Sequence, residues 1–321
     1  VEDASFRDTG LFAELQHPLS ARGRLIAGAR ADQWHARDGR TQVRTGMSMA
    51  PNPSAGRRRE DTLSGGFARY EHAHAMFPLT SYVGVGHVER FPDYWELIAG
   101  KESADSLSAF GTRPERTTQL DAGVVFRNER LSFSVAGFYG EVGDFILIQS
   151  NYAKGMRRTT VTRNVDARTW GGEADAEYTL AARWKLSGTL AFTHGKNATD
   201  GRPLAQIPPL EARLGLAYQG AAFSSGALVR AVAAQHRVAP DQGSIVGQDL
   251  GPTAGFVIAS ANAAWRVRER LTLSTGVDNL FDRAYAEHLS RAGGMVAGFT
   301  QTRRVSEPGR TLWLRMSATL E

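Results

Sequence analysis

The 321-residue chain reads as all-β, an antiparallel transmembrane β-barrel wall of about 13 strands. Three observations predict this. Apolar residues recur with period two along most of the length, which is the strand signal. The connections between the alternating runs are short and long by turns. No run approaches the ~18 uninterrupted apolar residues of a membrane-spanning helix, whereas a barrel strand crosses with ~9–11 alternating ones.

The pattern places strands at roughly 10–20, 23–36, 61–76, 80–91, 115–127, 131–148, 161–180, 183–195, 208–219, 222–237, 252–267, 270–285 and 309–320. The first two are joined by "HPLSARG" (17–23), the next two by "MFPLT" (76–80). In the fifth, Leu120, Ala122, Val124 and Phe126 alternate with Gln119, Asp121 and Gly123. The sixth sets Leu131, Phe133, Val135 and Tyr139 against Ser132, Ser134 and Ala136. After the seventh, the turn "AAR" (181–183) leads to the row Trp184, Leu186, Gly188, Leu190 and Phe192. Leu210, Ala212, Leu214, Leu216 and Tyr218 form the ninth row, followed by "QGAA" (219–222) and the tenth. "RVRER" (266–270) separates the last two hairpin partners, and the final strand puts Leu312, Leu314, Met316, Ala318 and Leu320 on one face. Short turns suit hairpins. The long connections, near 37–60, 91–115, 149–160, 196–208, 237–252 and 286–308, are rich in Gly, Pro, Arg and Asp. One end of the sheet is therefore trimmed and the other decorated, as in outer-membrane barrels with short periplasmic turns and long outer loops.

Parity adds a constraint. With 13 strands, the first and last run the same way and cannot close a ring antiparallel. The expectation is that residues 1–321 form the C-terminal portion of a larger barrel, without a separate second domain. The absence of cysteine excludes disulfides, thiol catalysis and thiolate metal sites within these residues. The net charge of +5 is spread over many segments, which does not resemble a nucleic-acid footprint. The opening "VEDASFRDTG" lacks the basic start and apolar core of a signal peptide.

Several motifs then resemble one family. "VDNLFDRAY" (277–285) resembles the penultimate-strand motif of TonB-dependent outer-membrane receptors. "RFPDYWEL" (90–97) followed by "RPERTTQLDAG" (113–123) resembles their mid-barrel segment. "NVDARTWGGEADAEY" (164–178), "PLAQIPPLEARLGLAY" (203–218), "AYAEHLSRAGG" (284–294) and "VAGFTQTRRVSEPGRTLWL" (296–314) are similar to the copper-receptor branch. The resemblance implies a 22-stranded barrel of which these are the last 13 strands, filled by an N-terminal plug that is not in this chain. It implies location in the bacterial outer membrane, contact with lipid and lipopolysaccharide, and coupling to the energy-transducing protein TonB through the plug. Copper is the substrate the resemblance favours. A ferric siderophore remains the alternative, with a passive porin or barrel enzyme behind it; no nucleophile elbow, phosphate loop or metalloprotease His pair points to catalysis. The family's metal ligands lie on the plug and an earlier loop, so none is carried over.

From the residues themselves, Met47 and Met49 in "RTGMSMAPN" sit on the first long loop with His35 nearby in sequence. Thioether sulfur is a soft ligand suited to Cu(I); a loop that happens to hold two methionines is the competing reading. His72, His74 and Met76 share a strand face near a short turn, where an interfacial girdle is the plainer reading. Met156, His288 and Met295 are further candidates for the outer mouth. "GRRRED" (56–61) is a basic cluster placed on an outer loop, open either to lipopolysaccharide phosphates or to solvent. Phe91 to Glu96 reads as an aromatic belt at a strand end. Asn279 breaks the apolar parity of its strand, which calls for either a bulge near Gly276 or a hydrogen bond to a neighbouring strand.

Overall fold

The computed structural model describes residues 4–99, 101–292 and 303–319. In chain order the elements are β1 (Ala4–Pro18), β2 (Gly23–Asp38), β3 (Gln42–Thr45), β4 (Ser48–Pro51), β5 (Arg58–Ala73), β6 (Leu79–Arg90), α1 (Tyr94–Leu97), β7 (Glu115–Arg127) and β8 (Leu131–Lys154). They continue as β9 (Arg157–Ala181), β10 (Trp184–Asn197), β11 (Arg202–Pro203), β12 (Glu211–Gln219), β13 (Phe223–Val232), β14 (Gln242–Gly243), β15 (Phe256–Arg268), β16 (Leu271–Asp278) and β17 (Thr311–Ala318). Thirteen of them form one antiparallel meander in the order β1-β2-β5-β6-β7-β8-β9-β10-β12-β13-β15-β16-β17. The short strands β11 and β14 pair onto β10 and β8, and β3–β4 is a separate hairpin. Among the described residues the wall is open, because β1 and β17 run the same way and do not pair.

The register fixes which side chain faces where. The row Leu11–Ala31–Ser64 and the row Leu15–Ala27–Ala68 lie on the lipid side of β1, β2 and β5. On the other side of the same strands sit Arg24, Arg30, Asp32, Arg69 and Glu71, joined by the Arg24–Glu71, Arg30–Asp32 and Arg69–Glu71 pairs. The same division continues to β17, where Leu312, Leu314 and Met316 are exposed on the lipid side. Aromatic residues mark the floor of the apolar band near the short turns. Tyr70 and His72 stack there, Phe126 stacks on Phe133 at 5.1 Å, and Trp184 meets Tyr218 at 5.0 Å. Such belts belong at membrane interfaces.

The strands match the alternating runs closely, but four expectations change. Residues 149–160 are not a long loop. β8 and β9 continue as a hairpin through them and turn at Gly155 and Met156, with Gly155 at φ 62°, a conformation glycine adopts without strain. The "GRRRED" cluster is not a loop either. It enters β5, and strand alternation sends Arg58 to the lipid side and Arg59 to the lumen side, where Arg59 donates to the Phe110 and Thr112 carbonyls. The stretch Phe91 to Glu96 leads into a capped helical turn, Tyr94–Leu97, rather than forming a membrane belt. The Asp93 carboxylate accepts from the Glu96 N–H, and the Glu96 side chain accepts from the Asp93 N–H. Finally, β16 stops at Asp278 instead of running to 285.

That last change explains Asn279. No bulge lies near Gly276; the β16–β17 register is continuous from Leu271 to Asp278. Asn279 instead takes φ 51°, which ends the strand, and its buried amide bonds the Arg283 N–H and the Arg283 and Pro308 carbonyls. Asparagine tolerates this left-handed region better than other non-glycine residues. Gly276 has a different role. Its pair is Trp313, whose indole occupies the space a Cβ at 276 would need.

Replacing Gly276 by valine is therefore expected to push the Trp313 indole off the lumen face and cost about 1–3 kcal/mol. Thermal unfolding of the complete barrel, read by loss of its compact electrophoretic form, checks this. Gly276→Val with an unchanged transition would contradict the packing account.

Candidate functional site

The described buried apolar clusters both lie at the outer, long-loop end on the lumen side. One joins Trp34 and Ala36 of β2 to Leu97, Ile98 and Phe110 of the connection between β6 and β7, with Trp34 stacked on Phe91 at 4.4 Å and 10°. The other joins Val142 and Ala167 to Leu204. The β6–β7 connection and Leu204 of the β10–β12 connection thus pack against the lumen side of the wall at this end.

Buried charge holds them there. Asp38, fully buried at the end of β2, accepts from Arg40, Asn52 and Ser54, at 2.9, 3.0 and 2.7 Å for Arg40 Nε, Asn52 Nδ2 and Ser54 Oγ. Ser54 Oγ also reaches Ser108 Oγ at 2.6 Å, which ties the β2–β5 connection to the β6–β7 connection. Burial pushes the Asp38 carboxyl up, and the hydrogen bonds from Arg40, Asn52 and Ser54 outweigh it, so the group is lowered to about 2. Glu102 does the same for the following connection. It is buried and takes Arg157 Nη1 and Nη2 at 2.6 Å each, Lys154 Nζ at 2.9 Å and Thr159 Oγ1 at 3.1 Å. Burial raises its pKa, but Arg157 and Lys154 dominate and hold it below the usual carboxylate range. Asp144, at φ 58° in a bulge of β8, pairs with Arg113 and Arg116. At the far side of the mouth Arg304 donates to the Gly251, Pro252 and His288 carbonyls.

A polar cleft of about 400 Å³ opens among these connections, lined by Ser54, Ser106, Ser108 and Thr112 with Arg57 and Arg163 at its sides. On the lumen face of the wall a second hollow of about 580 Å³ is lined by Phe12, Phe67, Val88, Gln119 and Asp121.

The sulfur candidates stand apart from the cleft. Met47 is at the turn of the β3–β4 hairpin, 98% exposed, after Gly46 at φ 63°. Met49 pairs with Arg44 in the same hairpin and is 58% exposed. His35 lies on β2 with Nδ1 3.4 Å from Glu60 Oε1, so the imidazole is engaged by a carboxylate. Met156 caps the β8–β9 hairpin and is fully exposed. His288 is buried against Thr253 Oγ1 at 3.0 Å, and burial lowers its pKa. Met295 lies outside the described residues. At the short-turn end His72 and His74 meet edge to face at 5.0 Å, His74 Nε2 is 3.0 Å from Ser81 Oγ, and Met76 is exposed, an arrangement that fits the interfacial girdle. Among the described residues no group of three or more His, Asp or Glu side chains is placed to hold a metal ion.

A family profile described as TonB dependent receptor-like, β-barrel matches residues 1–280. Among solved structures, the copper transporter OprC superposes with a TM-score of 0.92 at 46% identity, covering 98% of this chain and 48% of that one. The ferric yersiniabactin uptake receptor FyuA from Yersinia pestis gives a TM-score of 0.71 at 15% identity, covering 98% and 46% of the two chains. The FrpB iron transporter from Neisseria meningitidis gives 0.71 at 16%, covering 98% and 45%. These last two share the fold alone. The chain spans about half the length of the structures it matches. No curated protein sequence matches it significantly.

Two outcomes follow from the buried carboxylates, both read by amide hydrogen exchange on the complete protein. A carboxyl whose pKa is depressed on folding contributes stability that is complete above its ordinary value of 3.8 and is lost as pH falls toward about 2. Protection of residues 39–57 is therefore expected to hold above that range and fall within it, and Asp38→Asn is expected to remove on the order of 3 kcal/mol of local protection at neutral pH. Glu102→Gln is expected to speed exchange in 101–112 by roughly tenfold or more, leaving β12 to β17 untouched. Unchanged exchange in either variant would contradict the clasp.

Proposed function

The chain belongs to the TonB-dependent receptor β-barrel family, and from that membership we propose that it forms a stretch of the wall and outer mouth of an outer-membrane importer whose substrate is copper. Its place is the outer membrane, and the proteins it matches are transporters and receptors rather than enzymes. All of residues 1–321 are read as one stretch of barrel. The observation that carries the substrate is the 46% identity to a copper transporter, against 15–16% to the ferric-chelate and iron receptors with the same fold.

In this reading the wall does three things. Its paired backbone crosses the membrane without exposing polar groups to hydrocarbon. Its lumen face presents charged and hollowed surface to whatever fills the barrel. Its outer connections, clasped by Asp38 and Glu102, present a fixed surface on which substrate first lands. The exposed thioethers of Met47 and Met49 suit first capture of Cu(I); His35, the third candidate ligand, lies on β2 outside their hairpin and would have to leave Glu60 to join them. Energy coupling through TonB and the final metal site belong to the remainder of the protein. A second reading, uptake of an anionic metal chelate such as a ferric siderophore, rests on the polar cleft with Arg57 at its side, since the Arg163 guanidinium there is already held by Asp200.

Uptake of labelled copper and of labelled ferric chelates by cells expressing the complete receptor separates the two. Copper uptake is expected, and ferric-chelate uptake with none of copper would overturn the proposal. Met47→Ser/Met49→Ser is expected to weaken copper binding to the complete receptor by roughly tenfold, about the loss of one modest ligand interaction. Unchanged affinity would remove the hairpin methionines from the capture step while leaving the copper assignment standing.

A further inference from the structure

We propose that the lipid face of β1, β2 and β5 is a docking site for one phosphorylated glycolipid of the outer leaflet, its headgroup phosphate held by Arg37 and Arg58. The proposal rests on the outer-membrane reading above.

The strand register places Arg37 directly opposite Arg58, both on the lipid side of the wall. Like charges directly opposite on a sheet repel and destabilise the pair. Among the described residues neither guanidinium has a hydrogen-bond or ion-pair partner, and both are exposed. One row below, Arg7, His35 and Glu60 lie side by side, and there the single carboxylate is shared with His35. The lipid face of these two rows therefore carries three arginines against one glutamate. Two unpaired cations held at the upper end of a strand ask for an anion from outside the chain.

Their height says which anion. Leu25 and Tyr70 form the row at the aromatic floor, and Arg37 and Arg58 each stand 12 residues above it. At ~3.3 Å per residue and a ~45° tilt that is ~28 Å, just beyond the ~25 Å apolar band and level with the headgroups of the outer leaflet. The basic pair Arg168 and Lys196 on β9 and β10 repeats the arrangement, with Lys196 also 12 residues above Trp184, although there Glu141 lies 3.4 Å from Arg168.

The surface beneath the arginines fits an acyl chain. For three rows β2 and β5 carry only Ala31 and Ser64, Ala29 and Gly66, and Ala27 and Ala68. Leu11 and Leu15 of β1 stand on one side of this strip, and Val85, His87 and Glu89 of β6 on the other, with Glu89 accepting from Ser64. The result is a shallow trough that runs from the floor of the band up to the Ala31–Ser64 row, with the polar pairs Gln33–Thr62 and His35–Glu60 between it and the two guanidiniums. A free phosphate would use the arginines alone. A glycolipid with phosphate on its sugar and acyl chains below it uses the arginines and the trough together.

The test is co-purification. The complete receptor is extracted from outer membranes in mild detergent, and bound phosphorylated glycolipid is counted by mass spectrometry. The wild-type protein is expected to retain it through a wash with inorganic phosphate. R37A/R58A is expected to lose it by roughly thirtyfold, and R37K/R58K to keep most of it, since each surface cation near anionic headgroups contributes a similar increment. R127A, at the short-turn end of β7, serves as a control that keeps the lipid. Equal retention by R37A/R58A overturns the proposal, and so does release from the wild type by inorganic phosphate. Recovery of each variant from the outer-membrane fraction in the compact, heat-modifiable form tests the family reading separately, because a failure there is independent of how much lipid is bound.

Discussion

Hydrocarbon offers no partner for a backbone N–H or C=O, and the rest of this structure depends on that constraint. Each of the 13 wall strands is paired on both sides by its sequence neighbours, apart from the outer edges of β1 and β17. Pairing fixes the register, and the register fixes the two faces. The apolar row of every strand meets lipid, while Arg24, Glu71, Asp121 and Arg213 fall on the lumen side by the same alternation. Position 276 shows how tightly faces and packing are linked. Only a glycine there leaves room for the indole of its cross-strand partner.

Above the membrane the constraint reverses. Water is plentiful and the chain has little apolar surface with which to order its connections. Two small clusters around Trp34 and Val142 supply some of the cohesion. Buried carboxylates supply the rest: Asp38 gathers the β2–β5 connection, and Glu102 fastens the β6–β7 connection to the β8–β9 hairpin. Burying such groups is costly unless every oxygen is engaged, and breaking a buried pair by removing one partner costs more than the intact pair contributes. The clasps therefore act as locks on one arrangement of the mouth. An importer that recognises its substrate with loops needs that arrangement held, and fold alone does not set the substrate.

What the sequence made legible was the wall. Period-two rows such as Leu210 to Tyr218 and Leu312 to Ala318 are direct records of one face meeting lipid, and they locate strands within a few residues. The stretch near 149–160 looks like a loop in sequence because its residues are polar on both faces once β8 and β9 rise into water, where alternation no longer carries a signal. Asn279 is visible as an anomaly, but its cause is a left-handed turn, which composition does not encode beyond the preference of asparagine for it. The clasps are invisible in sequence. Asp38 reaches Ser108 through Ser54, and Glu102 meets Arg157 across 55 residues, so only the folded register brings them together. A charged residue ending a strand on the lumen parity, as Asp38 does, is the one available hint. Met47 and Met156 are legible as residues, and both are exposed at hairpin turns of the long-loop end.

The orientation of the wall underlies every functional statement, and the absence of cysteine within these residues makes it directly measurable. Single cysteines at Met47, Met156 and Met76 in the complete receptor, labelled on intact cells with a membrane-impermeant maleimide, report which end faces outward. Labelling is expected at 47 and 156, and none at 76 until the outer membrane is opened. Labelling at 76 with protection at 47 and 156 would invert the wall and contradict the outward placement of the long connections.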